Sequence, residues 1–283
     1  MTVSTRRLHG LEVPSFMYGT AWKEQRTRAL TTLALEAGFR AIDTANQRRH
    51  YVEAAVGEAL QAWLADGTHH RSELFLQTKF TYPDGQDHRI PYDVAAPPEE
   101  QVAQSFRSSL AQLRTSYVDS YLLHGPSVRV GLADEDWRVW SAMEALQRAG
   151  QVRLIGISNV SCAQLESLQR DAEVKPAFVQ NRCYARSGWD REVRQFCRAH
   201  DIAYQGFSLL TANRRELEGA VMARIMARTG ATLPQVLFRF ALGLGMIALT
   251  GTSDASHMRE DLDCVALQLA DDEVDALERV ARA

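Results

Sequence analysis

The chain has no CxxC pair, no cluster of Cys and His at metal-ligand spacing and no GxGxxG turn. Its four cysteines, Cys162, Cys183, Cys197 and Cys264, lie far apart. Neither a disulfide framework nor a zinc site is therefore expected, and the thiols read as reduced and mostly buried. A missing glycine-rich turn argues against a doubly wound dinucleotide-binding sheet, which carries one after its first strand. No apolar run is long enough to span a bilayer. The first residues, Met1-Thr-Val-Ser-Thr-Arg-Arg7, hold no apolar signal region, so the expected location is cytoplasmic. Charge of either sign is not in excess: 32 Lys and Arg face 35 Asp and Glu, for a net charge of −3. The basic pairs Arg6-Arg7, Arg48-Arg49 and Arg214-Arg215 are short and scattered. Neither nucleic acid nor a membrane is an expected partner.

What remains is an ordinary globular composition, 46% apolar and 24% charged. A length of 283 residues suits two modest domains or one large α/β barrel. Short apolar, β-prone runs alternate with stretches of helical periodicity. Strands are expected to end near Gly19-Thr20, at Asp43, near Lys79, at Leu123, Ile157, Gln180, Phe207 and Leu249. Helices are expected over 24–37, 51–65, 99–113, 135–150, 163–171, 191–200, 215–228, 233–242, 256–262 and 272–281. Residues 81–98, rich in Pro, Asp and Gly, form a long loop. No Gly-, Ser- or Pro-rich linker divides the chain. Eight strand–helix units predict a single (β/α)8 TIM barrel domain over 1–283 with an extra C-terminal helix.

In such a barrel the chemistry sits where the strands finish. The ends in order are Gly19-Thr20, Asp43, Lys79, His124, Ser158-Asn159, Gln180, Phe207-Ser208 and Gly251-Thr252. Taken singly, Asp43 reads equally well as a helix cap, Lys79 as a surface lysine and His124 as a loop histidine. Together, three ionisable ends of different type with Tyr51 nearby point to an acid/base device.

Gly38-Phe-Arg-Ala-Ile-Asp-Thr-Ala45, Leu122-Leu-His-Gly-Pro126, Gly156-Ile-Ser-Asn159 and Phe178-Val-Gln-Asn181 resemble signatures of the aldo-keto reductase superfamily. Val56-Gly-Glu-Ala-Leu60 and Ser109-Leu-Ala-Gln-Leu113 extend the likeness, which runs in order from about Gly19 to Asp261. The resemblance implies an NADP(H)-dependent oxidoreductase, with NAD(H) as the alternative, that reduces an aldehyde or ketone to an alcohol. It implies a tyrosine proton donor, a Lys79–Asp43 pair that lowers the tyrosine's pKa, and His124 orienting the substrate oxygen.

The tyrosine position departs from the pattern. In Asp-Thr-Ala-x-x-Tyr the last place falls on Arg48, while counting back from Val56-Gly57 gives His50. Tyr51 is the expected donor and His50 the alternative. By resemblance, Gly19, Thr20 and Asp43 contact the cofactor, and Ser158, Asn159, Gln180 and Phe207 hold its nicotinamide end. Ser208, Leu210 and Asn213 follow its diphosphate. Gly251, Thr252, Ser253, His257, Arg259, Glu260 and Asp261 meet its adenosine end. The Lys-Ser and arginine that many relatives use there are replaced by Gly251-Thr252-Ser253 and His257. Trp22, Tyr82 and Tyr92 are candidate substrate contacts, and 211–217 is another candidate wall. The expected partner is a small-molecule carbonyl substrate, and the expected state a monomer or weak homo-oligomer. A specialised reductase of imines or secondary-metabolism intermediates, and a non-catalytic cofactor-binding regulatory subunit, are the competing expectations.

Overall fold

In the computed structural model, which describes residues 4–281, eight parallel strands close into a barrel. The barrel strands are β3 (Phe16–Gly19), β4 (Ala41–Asp43), β5 (Phe75–Phe80), β6 (Val118–Leu123), β7 (Val152–Ser158), β8 (Phe178–Arg182), β9 (Ala203–Phe207) and β10 (Ile247–Thr250). Each pairs with its sequence neighbour, and β10 closes the ring on β3. The outer ring is α1 (Thr27–Ala37), α2 (Glu53–Leu64), α3 (Pro98–Leu113), α4 (Asp134–Arg148), α5 (Cys162–Asp171), α6 (Arg191–Ala199), α9 (Leu233–Gly243) and α10 (Ala255–Asp263). The first three and last two residues of the expected 1–283 span lie outside the described residues.

Local chemistry accounts for these elements. In α1, Thr27, Leu30, Thr31, Ala34 and Leu35 recur at helical spacing and are the buried positions. Gly38 ends the helix in the left-handed region at φ 116°, which costs glycine no Cβ clash. Ser161 and Thr232 begin α5 and α9 as side-chain caps with a glutamine reaching back. At the α2–α3 crossing, a Cβ on Gly57 would run into the Gln112 carbonyl, so only glycine lets the helices approach this closely. β5 and β6 are buried at every position, so their polar members Gln77, Thr78, Lys79, Asp119 and Ser120 lie inside the protein with the apolar ones.

Two features differ from the expected pattern. An antiparallel hairpin, β1 (Thr5–Leu8) and β2 (Leu11–Pro14), precedes the barrel. Leu8 and Val13 are buried in one cluster with Met17, Ala41, Phe75, Leu122, Phe178 and Ile247, so the hairpin plugs the end away from the strand C-termini. Its two strands are too short for periodicity to reveal. The single helix expected over 215–228 is instead α7 (Arg214–Leu217) and α8 (Ala220–Thr229), broken where Gly219 takes an extended conformation. The expected extra C-terminal helix is α11 (Asp271–Glu278), packed on α8 and α9.

Candidate active site

The C-terminal ends of the strands surround a cavity of about 490 Å³. Asp43, Tyr51, His124, Ser158, Gln180 and Phe207 line it. Lys79 lies behind them, wholly buried. Its ammonium is 2.6 Å from Asp43 Oδ1 and donates to Thr44 O at 2.8 Å. The same Asp43 oxygen also accepts from Gln77 Nε2 at 2.7 Å and Gln180 Nε2 at 3.1 Å. Gln77 and Gln205, both fully buried, bond each other in both directions beneath it. A buried ion pair is tolerable only when other hydrogen bonds support it, and this network gives Lys79 two acceptors and Asp43 Oδ1 three donors.

The Lys79 ammonium stands 5.4 Å from the Tyr51 ring centroid, within cation–π range. Tyr51 meets the His124 ring edge-on at 6.1 Å. Burial raises the Tyr51 phenol above its ordinary value, and the Asp43 charge raises it further. The expected lowering by Lys79 is not the net direction here: burial of the phenol and then the Asp43 charge set it, and Tyr51 keeps its proton. Lys79 is itself held below its usual value by burial, against the pull of Asp43.

His124 is held by three contacts. Its N–H donates to Phe80 O at 2.9 Å, and its carbonyl accepts from Asn159 Nδ2 at 2.7 Å. Its Nδ1 lies 2.7 Å from Thr81 Oγ1. Burial first, then the Lys79 and His50 charges, push the imidazole down to about 3, so it is neutral at physiological pH. If Thr81 donates to Nδ1, the neutral ring carries its proton on Nε2 and can donate from there.

The extended tyrosine loop is built into the structure. Gln47 O accepts from His50 N at 3.1 Å and Tyr51 N at 3.0 Å, so the additional residues coil into one turn. The long 81–97 loop fastens that turn: Gln86 Nε2 donates to Asn46 O and Gln47 Nε2 donates to Gly85 O, both at 2.8 Å. His50 is not among the cavity-lining residues. It stacks on Trp22, with ring centroids 3.5 Å apart. Trp22 is 69% exposed and lines the mouth.

Other candidates divide in the same way. Gly19, Ser208, Leu210, Gly251, Thr252, His257 and Asp261 line the cavity. Thr20, Asn159, Asn213, Ser253, Arg259 and Glu260 are not among its lining residues. Thr20 Oγ1 donates to Asp43 O, and Asn213 is spent on Ala185 N, Cys183 O and Leu209 O, so both support the rim from beneath. Tyr82 and Tyr92, expected to reach the substrate, do not line the cavity. Tyr82 donates to Asp136 Oδ1 and ties the long loop to α4, while Tyr92 donates to Thr81 O within the loop and packs its ring on Phe80 of β5. Lys23, Thr211, Pro234 and Phe238 line the cavity without having been candidates by residue, although Thr211 opens the expected 211–217 wall. Lys23 directly follows Trp22, and that adjacency was the available signal.

A buried acid lies close to this machinery. Glu53 accepts from Thr78 Oγ1 at 2.5 Å and Ser109 Oγ at 3.0 Å. Burial pushes its carboxyl up to about 7 from 4.5, opposed by those bonds and by the charges of Lys79 and Arg48. The folded protein thus retains a proton that the unfolded chain releases earlier. That contribution is complete below the unfolded value and lost as pH rises through the folded one. Across the window from 4.5 to about 7 it is expected to remove on the order of 3 kcal/mol of stability. Urea unfolding of Glu53→Gln should show a flatter stability profile there; a slope equal to wild type would contradict the assignment.

A closed parallel barrel whose mouth gathers a buried Lys–Asp pair, a tyrosine and a neutral histidine defines an enzyme-type site. The aldo/keto reductase family profile matches residues 16–282, and the chain belongs to that family. Among curated proteins, deoxymugineic acid synthase 1 of Oryza sativa subsp. japonica is 32% identical over 93% of this chain and 85% of its own length. The glyoxal reductase of Bacillus subtilis (strain 168) is 27% identical over 97% and 91%. A crystal structure of an aldo/keto reductase from Brucella melitensis superposes with a TM-score of 0.83 at 28% identity, covering 99% of this chain and all of that one. The Bombyx mori aldo-keto reductase in complex with NADP shares the fold at 22% identity and a TM-score of 0.81, covering 99% and 93%.

Proposed function

We propose that this protein is an NADPH-dependent reductase that converts an aldehyde or ketone to an alcohol, with Tyr51 as proton donor. The observation that carries this is the convergence of Tyr51, His124 and the Asp43-bound Lys79 on one cavity. The family's activity on carbonyls, the name of the glyoxal reductase and the NADP held by the Bombyx mori protein support it. The same reading has the chain act as one barrel domain, in the cytoplasm, as a monomer or weak homo-oligomer.

The cavity's donor set fits a nicotinamide. Gln180 spends Nε2 on Asp43 and Gln205 and leaves Oε1 to the cavity, where it can accept from a carboxamide. Phe207 offers an aromatic face. A bound reduced nicotinamide supplies the hydride. The protein's residues do the rest. His124 Nε2–H orients the substrate oxygen and polarises the carbonyl. Tyr51 gives its proton to that oxygen as negative charge develops on it. Lys79, fixed by Asp43, stabilises the phenolate left behind. Ser158 Oγ donates to Gln180 O at 2.6 Å and steadies the strand that carries Gln180.

The test is NADPH consumption by the purified protein over a panel of aldehydes, ketones, α-dicarbonyls and cyclic imines. Turnover of carbonyls is the expected outcome. Turnover of imines alone would replace this reading with the specialised one. Nucleotide binding without any turnover would favour a regulatory subunit.

A further inference from the structure

Two cations at one end of this cavity have no carboxylate within ion-pair distance among the described residues. Lys23 and Arg26 lie between β3 and α1, and Lys23 lines the cavity. Their hydrogen-bond acceptors are main-chain carbonyls of the turn after β10. Lys23 Nζ donates to Gly251 O, and Arg26 Nη2 to Ser253 O at a long 3.4 Å. A Cβ on Gly251 would lie 3.5 Å from Lys23 Nζ, so the ammonium sits in contact with the place where a side chain from this turn would begin. The turn Gly251-Thr252-Ser253 brings no lysine or arginine of its own. Tyr18 Oη ties the same turn to β3 by donating to Thr252 O at 3.0 Å.

The electrostatics point the same way. Burial and the neighbouring Arg26 charge both hold Lys23 below its usual value. Two like charges side by side, one of them half-buried, are relieved by an anion between them. The nearest acid on the turn, Asp254, is committed to the start of α10. Its Oδ1 accepts from Ser256 N at 2.8 Å and His257 N at 3.1 Å. That helix start holds its charge locally. A guanidinium and an ammonium beside a hydroxyl-bearing turn make a site for a phosphate monoester.

We infer that Lys23 and Arg26 receive the adenosine 2′-phosphate of NADPH, so that the β3–α1 segment, and not the β10 turn, sets the preference for NADPH over NADH. This rests on the nucleotide-binding role proposed above and goes beyond it by assigning the specificity to two residues. NADH lacks this phosphate but shares the diphosphate, which makes the assignment separable.

The experiment is a tryptophan-fluorescence titration of the full chain with NADPH, NADH, 2′,5′-ADP and 5′-ADP. It compares wild type with Lys23→Gln, Arg26→Gln and the double variant, each checked for folding by circular dichroism. Wild type should bind NADPH and 2′,5′-ADP at least about 10-fold more tightly than their counterparts without the phosphate. The double variant should weaken NADPH by about 10–100-fold, to near the NADH value, and move NADH by less than about threefold. Equal weakening of both nucleotides would place the cations on the shared diphosphate and overturn the inference. An unchanged NADPH advantage in the double variant would overturn it too. Failure of wild type to bind any of the four ligands would instead remove the nucleotide-binding reading itself.

Discussion

Tyr51→Phe is expected to lower kcat by about 10²–10⁴-fold and to change the dissociation constant for NADPH by less than about twofold. The substitution removes one oxygen and keeps the ring that packs edge-on against His124. Burial holds the phenol in its protonated form, so the acid is present across the whole neutral range. Among the described residues that line the cavity, Tyr51 is the one phenol, and its ring lies beside both Lys79 and His124. His50, the competing donor from the sequence, lies stacked on Trp22. His50→Gln should therefore retain kcat within about threefold and act chiefly on KM through the mouth of the cavity. Stopped-flow and steady-state rates on the two variants check this. Near-wild-type kcat in Tyr51→Phe, or a collapse in His50→Gln alone, would reverse the assignment.

Asp43→Ala is expected to cost about 3–5 kcal/mol of stability and to lower Tm by about 10 °C. The carboxylate oxygen it removes accepts from Lys79, Gln77 and Gln180 at once. Lys79, wholly buried, would keep an ammonium with only Thr44 O as partner. An unpaired buried charge is the expensive outcome, more so than the absence of the pair. Removing both charges in Asp43→Leu/Lys79→Met should therefore recover part of the lost stability while activity stays abolished. Thermal unfolding of wild type, Asp43→Leu, Lys79→Met and the double variant decides: a double variant destabilised by the sum of the two single effects would show that the two groups are not coupled.

The barrel was legible because its signal is repetitive. Short β-prone runs with apolar residues alternate with amphipathic helices, and eight repetitions outweigh an error at any boundary. The β1–β2 hairpin escaped because two four-residue strands carry too little periodicity. Asp43, Lys79 and His124 were legible as ionisable residues ending buried strands. The pKa of Tyr51 was not, because its sign depends on how much water the cavity excludes, and spacing does not encode that. Tyr82 and Tyr92 were misplaced for a related reason. A long loop after an active-site strand suggests a lid, but hydrogen bonds to Asp136 and Thr81 turn both rings onto the wall. The two anomalies of the sequence, the lengthened tyrosine loop and the 81–97 loop, proved to be joined through Gln86 and Gln47. Contacts between segments this far apart in the chain leave no trace in either segment alone.

Reduction of an accepted aldehyde or ketone with NADPH deuterated at nicotinamide C4 tests the central claim most directly, run in parallel on wild type and Tyr51→Phe. Mass spectrometry should find deuterium on the carbinol carbon of the wild-type product, with the hydroxyl proton drawn from solvent. The Tyr51→Phe protein should bind the same nucleotide and form product at least about 100-fold more slowly. Product without the label from either C4 face, or label transfer at equal rates in both proteins, would contradict a site in which Tyr51 completes a direct hydride transfer.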